Sequence, residues 1–282
     1  MTAAQDPPPG PPWDLPLDEA PLAFVDLEMT GLDAKKDRVV EVCIERVAGG
    51  VVKDRVFSLV RPEGGETGNV HIHNIDPAAL ADAPTWRDLH ERIAALLDGA
   101  VVIAHGASWD VAFLEAEAAR AGHPLAIPFY IDTLNLSRRT LGLAKHSLDA
   151  LRTHFGLDAS RAHRADADVA ALREVWQRCI AVLEPKTPRD VWEVRIAERK
   201  AREQIIAECT AAAQAKEAVV LTYRPRAKPP VEIRLLVTAV DFTLEPPRII
   251  GYELPGRGHR ELRADRVLKV VRPDESPGTA DG

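Results

Sequence analysis

From Pro21 onward the apolar residues fall into short runs whose spacing changes along the chain. Leu22–Met29, Arg38–Val47 and Val51–Val60 read as three strands, with Ala48-Gly49-Gly50 as the turn joining the last two. A loop follows through Gly64-Gly65 to Asn74. Asp76-Pro77 opens a helix, and Thr85–Leu97 has apolar residues at helical spacing. Val101–Ala104 is a short buried strand, and Ser108 is placed to cap a helix that runs to Ala121. Tyr130-Ile131 ends another short strand. Thr133–Leu141, Ser147–Phe155 and Ala165–Leu183 are helical stretches. Three hairpin-type strands followed by alternating helices and strands predict an α/β fold, a mixed sheet covered by helices.

Pro185-Lys186-Thr187-Pro188 interrupts this pattern, and a polar, alanine-rich helix is expected from Arg189 to Lys216. The texture then becomes all β. Ala218–Tyr223, Val231–Val240, Arg248–Leu254, Arg260–Leu262 and Val267–Val271 are strand-like segments separated by Pro and Gly, the pattern of a small barrel or curled sheet. The expected organisation is a disordered, proline-rich and acidic leader over residues 1–20, a first domain over 21–184, and a helical linker over 185–217. A small all-β module over 218–272 and a disordered tail over 273–282 complete it.

Composition narrows the class. With 46% hydrophobic and 28% charged residues the chain is that of a globular protein. No apolar run approaches the ~20 residues that span a bilayer, and the first residues lack the basic start and apolar stretch of a signal peptide, so a cytoplasmic protein without a membrane partner is expected. Cys43, Cys179 and Cys209 lie far apart in apolar or helical contexts and read as buried free thiols. The net charge of −7 argues against electrostatic coating of nucleic acid. It is unevenly spread, however. Thr222 to Arg272 carries eleven Lys/Arg against six Asp/Glu, a local +5, which leaves −12 on the rest.

That acidic remainder contains three segments with candidate chemistry. Asp26 and Glu28 are two apart on a predicted strand and therefore share a face, although their neighbours are Phe24, Val25 and Leu27. Carboxylates in so apolar a strand are costly unless a cation or proton compensates them. Asp110 falls in the first turn of a helix fed by the strand Val101–Ala104. His163 precedes the helix that contains Asp166 and Asp168. These two aspartates stand roughly 200° apart around a helix and cannot face one centre. Each segment alone is equally a solvated strand face or an acidic helix start favoured by the dipole. Together they supply what two-metal phosphodiester hydrolysis requires, several carboxylates that converge on cations roughly 3.5–4 Å apart.

The ordered set Asp26-x-Glu28, His105-x-Ala107-x-x-Asp110 and His163-x4-Asp168 resembles the DEDDh 3′→5′ exonucleases, the group that contains the epsilon proofreading subunit of bacterial DNA polymerase III. Val70-His71-Ile72-His73-Asn74-Ile75 is similar to the family's H-G-I segment, Ile131-Asp132-Thr133 to its D-T, and His146-Ser147-Leu148-Asp149-Ala150-Leu151 to its H-x-L-x-x-L. The resemblance covers Pro21 to Leu183 and implies a ribonuclease H-like sheet. It further implies that Asp26, Glu28, Asp110 and Asp168 hold two divalent cations, Mg²⁺ or Mn²⁺, and that His163 is the general base, a residue type able to exchange a proton near neutral pH. Thr30, Leu32 and His73 are implied to contact the terminal nucleotide. The implied partner is a nucleic acid with a free 3′ end, single-stranded and of DNA, with RNA or short oligonucleotides as the alternative. Gly106 stands where the family has Asn, Trp109 where it has Phe, Asn74 where it has Gly and Met29 where it has Thr.

The segment from Val219 to Val267 resembles a WYL-type domain, a small Sm/SH3-like barrel attached to bacterial regulators and nucleic-acid enzymes. Arg260, Arg263 and Arg266 are similar to that family's arginines, and with Arg224, Arg226 and Lys228 they form a candidate basic patch for phosphate or single strands. A binding regulator with an inactive nuclease scaffold is the reading from another class. A cluster of mutually repelling charges has no use in such a scaffold. Nothing beyond Leu183 reads as a polymerase-binding peptide, so association with a polymerase is not implied.

Overall fold

The computed structural model describes residues 6–64, 68, 70–225, 229–244 and 246–272 of the chain. The expected tail 273–282, the first five residues, Arg226 and Lys228 lie outside the described residues. Two compact units are present, Met1–Glu193 and Val194–Gly282.

The first unit is built on β1 (Leu22–Met29), β2 (Val39–Ala48) and β3 (Val51–Leu59), an antiparallel meander close to the expected one. Two one-turn helices follow, α1 (Val70–His73) inside the expected loop and α2 (Pro77–Leu80), the latter capped by Asp76. α3 (Trp86–Leu97) starts at a reciprocal Thr85–Asp88 capping box. β4 (Val101–Ala104) leads to α4 (Ser108–Arg120), and β5 (Tyr130–Asp132) to α5 (Thr133–Thr140). α6 (Leu148–Phe155) and α7 (Ala165–Leu183) complete the set. Ser108 does not cap α4: it is the first helical residue, and the N-cap is Ala107, which makes no side-chain bond.

The sheet order is β3-β2-β1-β4-β5, antiparallel between β1, β2 and β3 and parallel between β1, β4 and β5. β1 is therefore central, and its consecutive residues Ala23, Phe24 and Val25 are all buried, the mark of a strand covered on both faces. Parity assigns each face its cover. Phe24 meets Trp176 of α7 edge-on, with ring centroids 6.1 Å apart. Ala23, Val25 and Leu27 join the core formed with Ile93 of α3 and Val111, Phe113 and Leu114 of α4. Side chains of this size stabilise by about 1.5–3 kcal/mol each on full burial. Because Asp26 and Glu28 share the parity of Phe24, β1 presents them on the side of α7.

The leader is not structureless. Trp13 is buried and packs edge-on against Trp192 at 5.7 Å and Phe129 at 6.4 Å. Arg189 donates to the carbonyls of Pro7 and Pro8 and pairs with Asp14, and Leu17 N–H donates to the Lys186 carbonyl at 2.8 Å. One aromatic anchor and a guanidinium fork outweigh a composition that on average has little to bury. α8 (Pro188–Ala215) is likewise more than a linker, since its first turns bury Val191 and Trp192 in the first unit while Cys209 and Ala212 belong to the core of the second.

In the second unit β6 (Ala218–Tyr223), β7 (Val231–Asp241), β8 (Arg248–Glu253), β9 (Gly258–Arg263) and β10 (Val267–Val271) form an antiparallel sheet ordered β10-β6-β7-β8-β9. A single 3-10 turn, Ala264–Arg266, joins the last two strands. Among the described residues no helix is long and apolar enough to cross a membrane.

Candidate active site

Asp26 and Glu28 sit near the carboxyl end of the central strand. β4 runs parallel beside it, so its carboxyl end opens at the same edge, and the turn through Gly106 delivers Asp110 in the first turn of α4. α7 brings Asp168 over the other face. Three of the candidate side chains, Glu28, His163 and Asp168, present ligand-type atoms that all lie within 4.8 Å of one another. Asp26 and Asp110 join them electrostatically. Burial raises Asp26 well above the ordinary carboxylate range, and Asp168, Asp110 and Glu28 push it further. Burial, then Asp168, Glu41 and Asp110, hold Glu28 at about 8. Asp110 is likewise raised to about 8 by burial and by Asp132, against a compensating hydrogen bond from the Leu27 backbone. Buried Glu28, Asp110 and Asp168 and half-buried Asp26 therefore act on one another through their charge.

A single buried guanidinium partly offsets them. Arg152 of α6 lies 2.5 Å from Asp168 through Nη1 and donates through Nη2 to the Ala167 carbonyl at 2.5 Å. Burial raises the Asp168 carboxyl, and Arg152 and His163 pull it back. Arg152, with Arg164 acting on Glu28, does not balance four carboxylates, which leaves room for added positive charge, and an oxygen-rich set suits hard divalent ions. Asp166 turns elsewhere, to a two-pronged pair with Arg161 at 2.9 Å.

The remaining expected contacts divide. Leu32 is exposed, as a substrate-facing residue should be. Thr30 is buried, and its hydroxyl accepts from Arg38 N–H at 2.9 Å, which closes the loop between β1 and β2. His73 is buried too, and its Nδ1 accepts from Ile75 N–H at 3.0 Å. Backbone closure thus occupies two of the three groups expected to touch a nucleotide. His105 and His146 serve structure as well. The His105 ring bridges Thr133 Oγ1 and the His146 carbonyl, and the His146 ring bridges Ser137 Oγ and the Leu143 carbonyl.

Two features escaped the sequence reading, and a third, Trp109, entered it only as a departure from the family pattern. Trp109, next to Asp110, is half exposed and offers a ring at the rim of the cluster. Its signal was present, since a large aromatic at the start of a helix beside an acidic residue has no buried face to fill. Arg152 was hidden inside an apolar helical pattern. Buried Glu41 pairs with the half-buried guanidinium of Arg164 under the start of α7. In the second unit two of the expected patch arginines have acidic neighbours. Glu253 neutralises Arg260 at 2.5 Å and Asp265 neutralises Arg263 at 2.9 Å, because neighbouring strand and turn positions carry the counter-charges. Arg224 and Arg266 adjoin through a backbone bond of 2.9 Å.

The raised carboxylates carry a stability prediction. In the unfolded chain Glu28 and Asp110 lose their protons near pH 4, whereas in the folded chain they keep them up to about 8. Between those values the folded state binds more protons, so ion-free stability falls as pH rises through that window. A divalent cation binds the deprotonated form and offsets the fall. At ~100 times its Kd, Mn²⁺ at pH 8 should add about 2.7 kcal/mol, a rise in melting temperature of roughly 5–10 °C. The rise at pH 5.5 should be much smaller. Equal shifts at both pH values, read by differential scanning fluorimetry, would mean that these carboxylates hold no ion.

Comparison with known proteins places the chain in a family. The RNase_T family model, described as exonuclease, matches residues 23–176. A 172-residue stretch is 28% identical to the PolC-type DNA polymerase III of Staphylococcus aureus, covering 60% of this chain and 12% of that protein. The chain thus spans about an eighth of the length of this curated relative. Among solved structures, the zinc-bound E. coli exonuclease I complex with single-stranded DNA is similar with a TM-score of 0.54 at 17% identity, over 84% of this chain and 55% of that one. The complex of E. coli exonuclease I with a dA16 oligonucleotide has a TM-score of 0.53 at 12% identity, over 91% and 65%.

Proposed function

Because this chain belongs to the RNase_T exonuclease family, we propose that it is a metal-dependent 3′→5′ exonuclease that releases nucleoside 5′-monophosphates from single-stranded DNA. The observation that carries this reading is the group formed by Glu28, Asp168 and the solvent-reaching His163, whose ligand-type atoms lie within 4.8 Å of one another, with Asp26 and Asp110 coupled to it through their charge. Burying such a cluster is affordable only if protons or cations neutralise it, and the oxygen-rich donor set fits Mg²⁺ or Mn²⁺. Asp26, Glu28, Asp110 and Asp168 would hold two ions. When bound, these ions would favour ionisation of a water and neutralise charge on the phosphate and on the departing 3′ oxygen.

The chain's own groups do the rest. His163 accepts the proton of the attacking water as that oxygen bonds to phosphorus and the bond from phosphorus to the 3′ oxygen of the penultimate nucleotide breaks. Its ring keeps 46% of its side chain accessible and lies 3.5 Å from Asp149, which orients it. Trp109 and Leu32 offer exposed apolar surface for the terminal base. The second unit supports a small Sm/SH3-like, WYL-like barrel as an accessory module, since its last strand returns beside its first after a 3-10 turn. Arg224 and Arg266 provide its contact with the strand backbone.

The test is a panel of 5′-labelled single- and double-stranded DNA and RNA with Mg²⁺, Mn²⁺ or EDTA. Single-stranded DNA should shorten stepwise from its 3′ end with either ion, stop in EDTA, and resist when the 3′ end is blocked. Internal cuts, attack from the 5′ end or activity in EDTA would overturn the proposal. Faster shortening of RNA would reassign the substrate and leave the chemistry intact.

A further inference from the structure

α7 carries Asp168 in its first turn, yet it begins without a cap of its own. Arg164 occupies the N-cap position in an extended conformation (φ −129°, ψ 123°) and makes no side-chain cap bond. The Ala165 N–H donates instead to Oε2 of Glu41, on β2, at 2.8 Å. The Arg164 guanidinium closes on the same carboxylate, with Nη2 2.5 Å from Oε1 and Nε 3.1 Å from both oxygens. Glu41 is fully buried and stands directly opposite Glu28 in the β1–β2 register. One carboxylate therefore caps α7 and ties its first residue to the strand pair that bears Asp26 and Glu28.

The residue just outside this clamp is His163. Its backbone is left-handed at φ 62°, a conformation that a non-glycine residue keeps only where its surroundings impose it. Its ring contact with Asp149 is long and half exposed, so it cannot impose that conformation. Asp168 needs no such help. It lies inside the helix, beside buried Val169 and Leu172, and has Arg152 as a separate anchor. Arg173, five residues beyond Asp168, pairs with Glu45 on β2 at 2.9 Å and fixes the rest of the helix independently.

We infer that the Glu41–Arg164 clamp is a positioning device for His163, acting on turnover through that histidine rather than through ion binding or folding. The inference rests on His163 being the base. It is tested in the full-length protein on single-stranded DNA with Mn²⁺, using Glu41→Gln, which keeps size and one acceptor but loses the charge. Turnover should fall about 10- to 100-fold, the cost of a small misplacement of a reacting group. KM should stay within about twofold, and the Mn²⁺ dissociation constant, followed by thermal shift, should change far less than turnover, since Glu41 acts on Glu28 only through charge across the strand pair. In a His163→Ala background the same change should cost less than about twofold, because the two act as one unit. Arg164→Lys should not restore turnover, since an ammonium cannot form the fork. If Glu41→Gln fails to fold, Arg164→Gln opens the clamp while Glu41 still caps Ala165, and it should show the same coupling. A loss that multiplies with His163→Ala, or that tracks a loss of Mn²⁺ affinity, overturns the clamp alone. A His163→Ala variant with full turnover overturns the base assignment and the clamp with it.

Discussion

Replacing Asp26 with asparagine is expected to reduce 3′ degradation by at least about 10³-fold while leaving the protein folded. Asp26 is raised by burial and by the charges of Asp168, Asp110 and Glu28 together. An amide in its place removes a charge that would hold the proposed divalent ions. Metal ions supply several kcal/mol of charge stabilisation in phosphoryl chemistry, and each 1.36 kcal/mol is tenfold in rate. The same substitution should act in the opposite direction on stability. In EDTA at pH 8 the wild type must either carry repelling buried charges or retain protons, and the amide relieves both. Asp26→Asn should therefore melt at or above the wild-type temperature in EDTA and lose the Mn²⁺-induced rise. Circular dichroism melts and a labelled-DNA assay measure the two halves. Retained activity, or a variant destabilised in EDTA, contradicts the site.

His163→Ala is the second large effect, a fall in turnover of about 10² to 10⁴, the usual worth of a placed general base. Geometry offers a competing role, since the His163 ring lies within 4.8 Å of both Glu28 and Asp168 and could act as a ligand. The two roles separate in one measurement. A base can be removed without loss of ion binding, so the variant should keep the Mn²⁺-induced melting shift of the wild type at pH 8 while turnover collapses. Loss of that shift in parallel would make His163 a ligand instead. The accessible ring and the Asp149 contact favour the base, because a proton taken from water must reach solvent.

Two departures from the family pattern acquire a physical meaning in the structure. Asn74 stands in place of Gly at φ 53°, and Gly106 in place of Asn at φ 83°. Both positions are left-handed, and Gly and Asn are the residues that tolerate that conformation most readily. The exchanges therefore keep the backbone that carries His73 and Asp110.

The elements and the candidate ligands were legible in the sequence because they depend on local periodicity. A two-residue step on a strand puts Asp26 and Glu28 on one face, and a two-residue step on a helix separates Asp166 from Asp168. The structure follows both, with Asp166 bound to Arg161 and Asp168 turned inward. What local pattern could not reach were partners distant in sequence. The leader looked unfit for order until Trp13 met Phe129 and Trp192. The basic patch looked continuous until Glu253 and Asp265 were placed beside its arginines.

The sequence by itself thus determined the chemistry of this protein: which side chains carry charge, their order, and the strand or helix that presents each one. Only the tertiary structure decided how that charge is tolerated and aimed. Arg152 reads as one more residue of an apolar helix until it is found against Asp168. Glu41 and Arg164 are 123 residues apart and share no periodicity, yet one carboxylate joins the strand pair to the helix beside His163. Hydrophobic spacing is written along the chain, but the partner of a buried charge is set by which elements the fold stacks over it.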